Sequence, residues 1–176
     1  MLRFVGCASG SGATSYGASE VIQVVDLRDY HDEIAVGGRF VRASGFFNRV
    51  AGDAETDTEF GLALYAFSGD PNEFRSLWGG EEISESSAGL LSDADRASWE
   101  QLTALMALHT DTDFVALRIF ARENLVNDTT GIELDGHYGD AFSLEIVPEP
   151  TGMLLLAVGF GAMVLSRRRK LEWQDR

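Results

Sequence analysis

The sequence predicts an all-β fold, a β-sandwich over residues 1–146, followed by a single apolar helix at the C-terminus. Three observations lead to it. Apolar residues recur in short runs, alternating or continuous, with Gly-, Asp- and Asn-rich stretches between them. Only one body segment, residues 93–108, carries a helical period as well. Charge and hydropathy also change together near residue 147. The chain of 176 residues holds 28 acids and 14 bases, a net charge of −14. Residues 147–176 contain three acids and five bases, which leaves 25 acids, nine bases and a net −16 in the body. Two parts of one chain with opposite charge usually meet different surroundings.

Composition removes several function classes. Domains run to about 100–200 residues, so the length allows one folded unit. An apolar fraction of 45% is enough to bury a core. The acidic balance lacks the basic face that phosphate binding requires, and no nucleic acid is expected as a partner. Cys7 stands alone, and His31, His109 and His137 are not at metal-ligand spacing. A disulfide framework and a multi-cysteine zinc site are thereby excluded. No internal repeat is visible.

Residues 1–10 have one early base but lack the apolar run, about 7–15 residues long, of an export signal. Cys7 lacks the same run, which a lipoprotein site would need. The expectation is a body short of its signal peptide. Residues 21–27 are rich in β-branched side chains. Residues 39–47 place Val41, Ala43 and Phe47 on one face and Arg42 and Ser44 on the other. Residues 60–67 are apolar on both faces, as in a central strand. Residues 93–108 are ambiguous. Ser92 would cap a helix with Trp99, Leu102, Leu105 and Met106 on one side, while residues 102–110 would equally form a strand. In residues 114–122, Val115, Leu117, Ile119 and Ala121 point inward, and Arg118, Phe120 and Arg122 outward. Residues 140–147 close the body, with Phe142, Leu144 and Ile146 on one face and Ser143 and Glu145 on the other.

Residues 150–166 carry no charge over 17 positions. As a helix at about 1.5 Å per residue they reach about 25 Å, the short edge of what crosses a bilayer. The run is apolar on every side, it follows Pro148-Glu149-Pro150, and it ends in Arg167-Arg168-Arg169-Lys170. A helix apolar all round is buried or spans a membrane, and a basic end stays on the cytoplasmic side. The reading is one transmembrane helix.

Val147-Pro148-Glu149-Pro150-Thr151, a short apolar helix and a basic cluster, in that order, resemble the PEP-CTERM sorting signal of exported bacterial proteins. The resemblance covers residues 147–170 and departs from the family in the six residues after the cluster, Leu171 to Arg176. It implies exosortase and the inner membrane as partners, with Pro148, Glu149 and Pro150 recognised outside the membrane. It also implies anchoring in the inner membrane before processing, then a place on the cell surface or in the extracellular matrix. The domain division is therefore 1–146 for the body and 147–176 for the signal.

The body resembles a galactose-binding-like jelly roll. Ser19-Glu20-Val21-Ile22, running on to Asp26-Leu27, is similar to that family's early strand, and Ser44-Gly45-Phe46-Phe47 to a Ser-Gly-aromatic strand end. Asp140-Ala141-Phe142-Ser143-Leu144 is similar to its final strand. The resemblance implies a jelly-roll β-sandwich, contact with exopolysaccharide, and a structural Ca²⁺ in early loops. It further implies a first strand ahead of a Gly/Ser-rich stretch such as residues 6–17; the sequence displays none, so the body is expected to lack it.

Candidate site residues follow. Asp53 and Asp57, in an acidic stretch, and Asp140 are the candidate Ca²⁺ ligands, with solvated loop acids as the competing account. Asp135, His137 and Asp140 would form a metal or acid–base cluster, against a Gly-rich turn entering the last strand. Sugar C–H faces stack on rings while hydroxyls take hydrogen bonds, so aromatics with polar neighbours are the candidates for a glycan. Trp78 beside Gly79-Gly80-Glu81-Glu82, and Phe120 between Arg118 and Arg122, meet that description; ordinary packing competes at each. No Gly-x-Ser-x-Gly elbow is present. The expected function is a non-catalytic exported surface or matrix protein that contacts exopolysaccharide. The alternative is a secreted glycan hydrolase using acidic loop residues, which needs two carboxylates converging at about 5–10 Å.

Overall fold

A computed structural model describes residues 1–5, 18–49, 58–93, 95–123 and 136–149. They form two four-stranded antiparallel sheets packed as a β-sandwich. In sheet A the order is β1 (Leu2–Phe4), β8 (His137–Pro148), β3 (Arg39–Arg49) and β6 (Glu100–Ala107). Sheet B runs β2 (Ala18–Asp26), β7 (Phe114–Glu123), β4 (Thr58–Phe67) and β5 (Ser84–Leu91). Two single-turn helices, α1 (His31–Ala35) and α2 (Phe74–Leu77), each follow a 3-10 turn.

Alternation in the sequence decides which face of each strand is buried. Val41, Ala43 and Phe47 of β3 turn inward, opposed by Leu62 and Leu64 of β4 and Leu117 of β7. Phe47 and Phe60 stack with ring centres 4.9 Å apart, and Phe4 joins them at 5.9 Å from Phe60. β4 pairs with β7 on one side and β5 on the other, the central place that its two apolar faces demand. Phe142, Leu144 and Ile146 of β8 pack against the same core.

Five elements differ from the sequence reading. The described residues of 93–108 hold no helix: Glu100–Ala107 is a strand, and it pairs along β3. The extended backbone separates Leu105, which is exposed, from Leu102 and Met106, which are buried. Pairing along β3 outweighs the local helical period. The helices that do form, α1 and α2, are one turn long, too short to leave a periodic trace. β5, Ser-Glu-Ser-Ser-Ala-Gly-Leu-Leu, was invisible because its inward residues, Ser84, Ser86, Ala88 and Leu90, are mostly small and leave no large apolar alternation. A strand does precede the Gly/Ser-rich stretch: Leu2–Phe4 pairs with His137, Tyr138 and Gly139.

The β3–β8 pairing slips by one residue between Ser44 and Phe46, where Ala141 takes a left-handed φ of 51°. The slip brings Phe142 over Gly45, where an added Cβ would stand about 2.4 Å from the ring. Among the described residues no helix is long and apolar enough to cross a membrane. The apolar run 150–166 and the basic cluster Arg167, Arg168, Arg169 and Lys170 lie outside them.

Candidate functional site

The outer face of sheet B carries a second, smaller apolar cluster around Phe67, Phe114 and Ala116. α2 covers it. Asp70 sets up that cover by accepting the N–H of Asn72 at 2.9 Å, and Pro71 opens the turn with its φ already restricted. The chain then lays Trp78 edge-on against Tyr65, with ring centres 4.6 Å apart, and against Phe74 at 5.1 Å. Trp78 keeps 36% of its surface open, so it is both a packing residue and an exposed ring.

Pair register aligns the rest of this face. Val24, Ala116, Tyr65 and Glu85 form one row across the sheet, and Ile22, Arg118, Ala63 and Ser87 the next. Arg118 donates to Glu20 Oε2 at 2.6 Å. Burial works against the Arg118 charge, yet the Glu20 carboxylate and the Tyr65 side chain more than offset it and raise its pKa above the ordinary arginine value. Tyr65 thus links Trp78 to Arg118. Next to it lies a depression of about 170 Å³ lined by Tyr65, Glu85, Ser86 and Ser87. An exposed ring beside a carboxylate and hydroxyls combines a stacking surface with hydrogen-bonding groups.

Of the four ligand candidates, Trp78 and Arg118 each contact Tyr65, which lines this depression, but do not line it themselves. Phe120 is on the same outer face but offers no platform, because it is only 5% exposed. Its ring lies over Gly61, and the guanidinium carbons of Arg118 and Arg122 stand 4.8 and 4.9 Å from its centre. Arg122 is tied to Glu59 at 2.8 Å. The expected exposed ring is a covered one. Tyr65, Glu85 and Ser87 were missed. Tyr65 was the one polar-tipped aromatic in the otherwise apolar run 60–67, a usable signal. Glu85 and Ser87 become meaningful only once β5 is paired beside it.

No protein-family model matches the chain, and no characterised protein or solved structure does. The reading of this face therefore rests on its own geometry.

Of the expected cluster, the structure does not bring His137 and Asp140 together. His137 points into the core, with Nε2 2.8 Å from Thr58 Oγ1 and 3.4 Å from Glu123 Oε1, all three residues being buried. Asp140 is on the opposite side of β8; the Ala141 N–H, then the terminal amino group at 3.2 Å, hold its carboxyl below the usual range. Among the described residues no three His, Cys, Asp or Glu are grouped to hold a metal ion. Asp53, Asp57 and Asp135 lie outside those residues. Of the sorting motif, Pro148 ends β8 opposite Arg39, and the Glu149 N–H donates to Gly38 O at 3.0 Å. Pro150 lies outside the described residues.

Proposed function

We propose that this chain is a non-catalytic, exported bacterial surface or extracellular-matrix protein. Its C-terminal residues 147–176 act as a PEP-CTERM signal for exosortase at the inner membrane, and its body contacts exopolysaccharide through the outer face of sheet B. The observation that carries the second part is the Trp78–Tyr65 edge beside the depression formed with Glu85 and Ser87. A galactose-binding-like jelly roll is the fold within the sandwich class that this reading adopts. In its support, the first strand lies beside the last, the second beside the seventh, and the fourth between the seventh and fifth, as two nested Greek keys require. What favours binding over hydrolysis on this face is that Glu20 and Glu59 are each engaged by an arginine, Arg118 and Arg122, so that Glu85 in the depression has no unengaged strand carboxylate beside it to complete a catalytic pair.

The test is affinity electrophoresis of the body in gels containing exopolysaccharide from an exosortase-bearing bacterium. Trp78→Ala is expected to weaken retardation by about tenfold, the scale of one lost stacking contact. Ser87→Leu, which fills the depression without touching α2, should do the same. Equal retardation of both variants and the parent, or none for any, rejects this face as a glycan site.

A further inference from the structure

Among the described residues, four strand carboxylates share the outer face of sheet B: Glu20 and Asp26 on β2, Glu59 on β4 and Glu85 on β5. Three of them are matched. Arg118 holds Glu20, Arg28 holds Asp26 and Arg122 holds Glu59. No Lys, Arg or His among the described residues pairs with Glu85, which is exposed and lines the depression with Tyr65 and Ser87. The arginines of this face are thus engaged by their own carboxylates, and the depression keeps one uncompensated negative charge.

The hydrogen-bonding groups point the same way. Arg118 donates to the Tyr65 side chain, and a guanidinium cannot accept, so the Tyr65 oxygen is the acceptor there. An ionised Glu85 accepts only, and the Ser87 hydroxyl can accept beside it. A primary ammonium answers this set with three N–H donors and a positive charge, and nearby aromatic rings add to the attraction. At longer range the body's net −16 repels a polyanion and draws in a polycation.

The next step rests on the reading of this face as a glycan site. We infer that its ligand is a cationic glycan, a polysaccharide whose hexosamine units carry free amino groups. The ammonium sits on Glu85 and Ser87, and the same sugar lies against the Tyr65–Trp78 edge. The depression, at about 170 Å³, is smaller than the roughly 300–1,000 Å³ of a drug-sized pocket, so one unit seats at a time. N-acetylation of that unit removes the charge and two of the three donors, and it sets a carbonyl acceptor near a carboxylate.

The probes are two β-1,4-linked tetrasaccharides, one of glucosamine and one of N-acetylglucosamine, titrated onto the immobilised full chain. The glucosamine form is expected to bind about fivefold tighter or more, the scale of a charge-assisted hydrogen bond at an exposed site. Glu85→Gln keeps the side-chain size but not the charge, and it should abolish the preference. Glu145→Gln takes the same charge from the outer face of sheet A, where Glu145 pairs with Arg42, and should leave the preference intact. Equal losses in these two variants would overturn the inference, because net charge alone would then explain the binding. A preference that survives Glu85→Gln overturns it as well. Equal affinity for both tetrasaccharides, weakened in both cases by Trp78→Ala, overturns the cationic ligand while the glycan face stands. Binding of neither probe also overturns it, and the exopolysaccharide gel then decides separately whether the face reads glycans at all.

Discussion

A methyl group on Gly61 would lie about 2.0 Å from Phe120 Cζ, so this glycine and this ring are a single packing unit on the outer face of sheet B. Gly61→Ala must push the ring from between its two arginines, at a cost of about 2–3 kcal/mol. In a Phe120→Ala background the same change should cost far less, which a double-mutant cycle by urea unfolding would measure. Strictly additive losses would refute the coupling. Asp26 offers a different kind of residue-scale test. Its carboxylate receives the Arg28 side chain, with Nε at 2.9 Å, and the Arg28 N–H at 3.0 Å. These bonds lower its pKa from 3.8 to about 2. A depressed folded pKa contributes stability that is present above the unfolded value and is lost as pH falls through the folded one. The advantage of the parent over Asp26→Asn should therefore be full above about pH 4 and shrink towards pH 2. A gap between their urea midpoints that stays constant over this range would contradict the assignment.

Strand register is the property that decides side-chain fate at the scale of an element. In β7, Leu117 is 3% exposed within the core, and its neighbour Arg118 points to the outer face. Leu117→Asp buries an unpartnered carboxylate and should cost about 4 kcal/mol or more. Arg118→Ser removes the partly exposed ion pair with Glu20, the bond to Tyr65 and the contact over the Phe120 ring, and should cost about 1–2 kcal/mol, well below Leu117→Asp. Similar shifts in thermal midpoint for the two would mean a different register. The legibility of each strand follows the same logic. β3, β4, β7 and the end of β8 were readable because each has a large apolar set on at least one face. β5 and β6 were not, since Ser84–Leu91 has few large apolar residues and Glu100–Ala107 satisfies two periods at once.

The opposed charges of body and tail set the expectation for the whole molecule. On the proposed reading, an apolar helix of about 17 residues would be a marginal anchor, and the two proline-restricted φ angles of Pro-Glu-Pro before it would suit recognition at the membrane surface. The expected outcome in a host with exosortase, once the chain is given an export signal, is loss of the segment after about Pro150. Mass spectrometry of the mature surface fraction would check it; recovery of Met153 to Lys170 still attached would reject the sorting role. Serine at Arg167, Arg168, Arg169 and Lys170 should impair retention and processing, and unchanged maturation would mean the cluster is not read.

From the sequence by itself came the β class, the inward faces of β3, β7 and β8, the central place of β4, and the tripartite pattern of the tail. All of these depend on periodicity, order or charge, which are local to the chain. Only the tertiary structure decided that Phe120 is covered while Trp78 stays half open, and that Tyr65, Glu85 and Ser87 share one depression. It alone split His137 from Asp140 and set Val25 and Leu27 across a cleft from Leu144 and Ile146. Such outcomes depend on which strands become neighbours, and pairing between residues far apart in the chain is a global minimum of packing and hydrogen bonding. No local pattern encodes it.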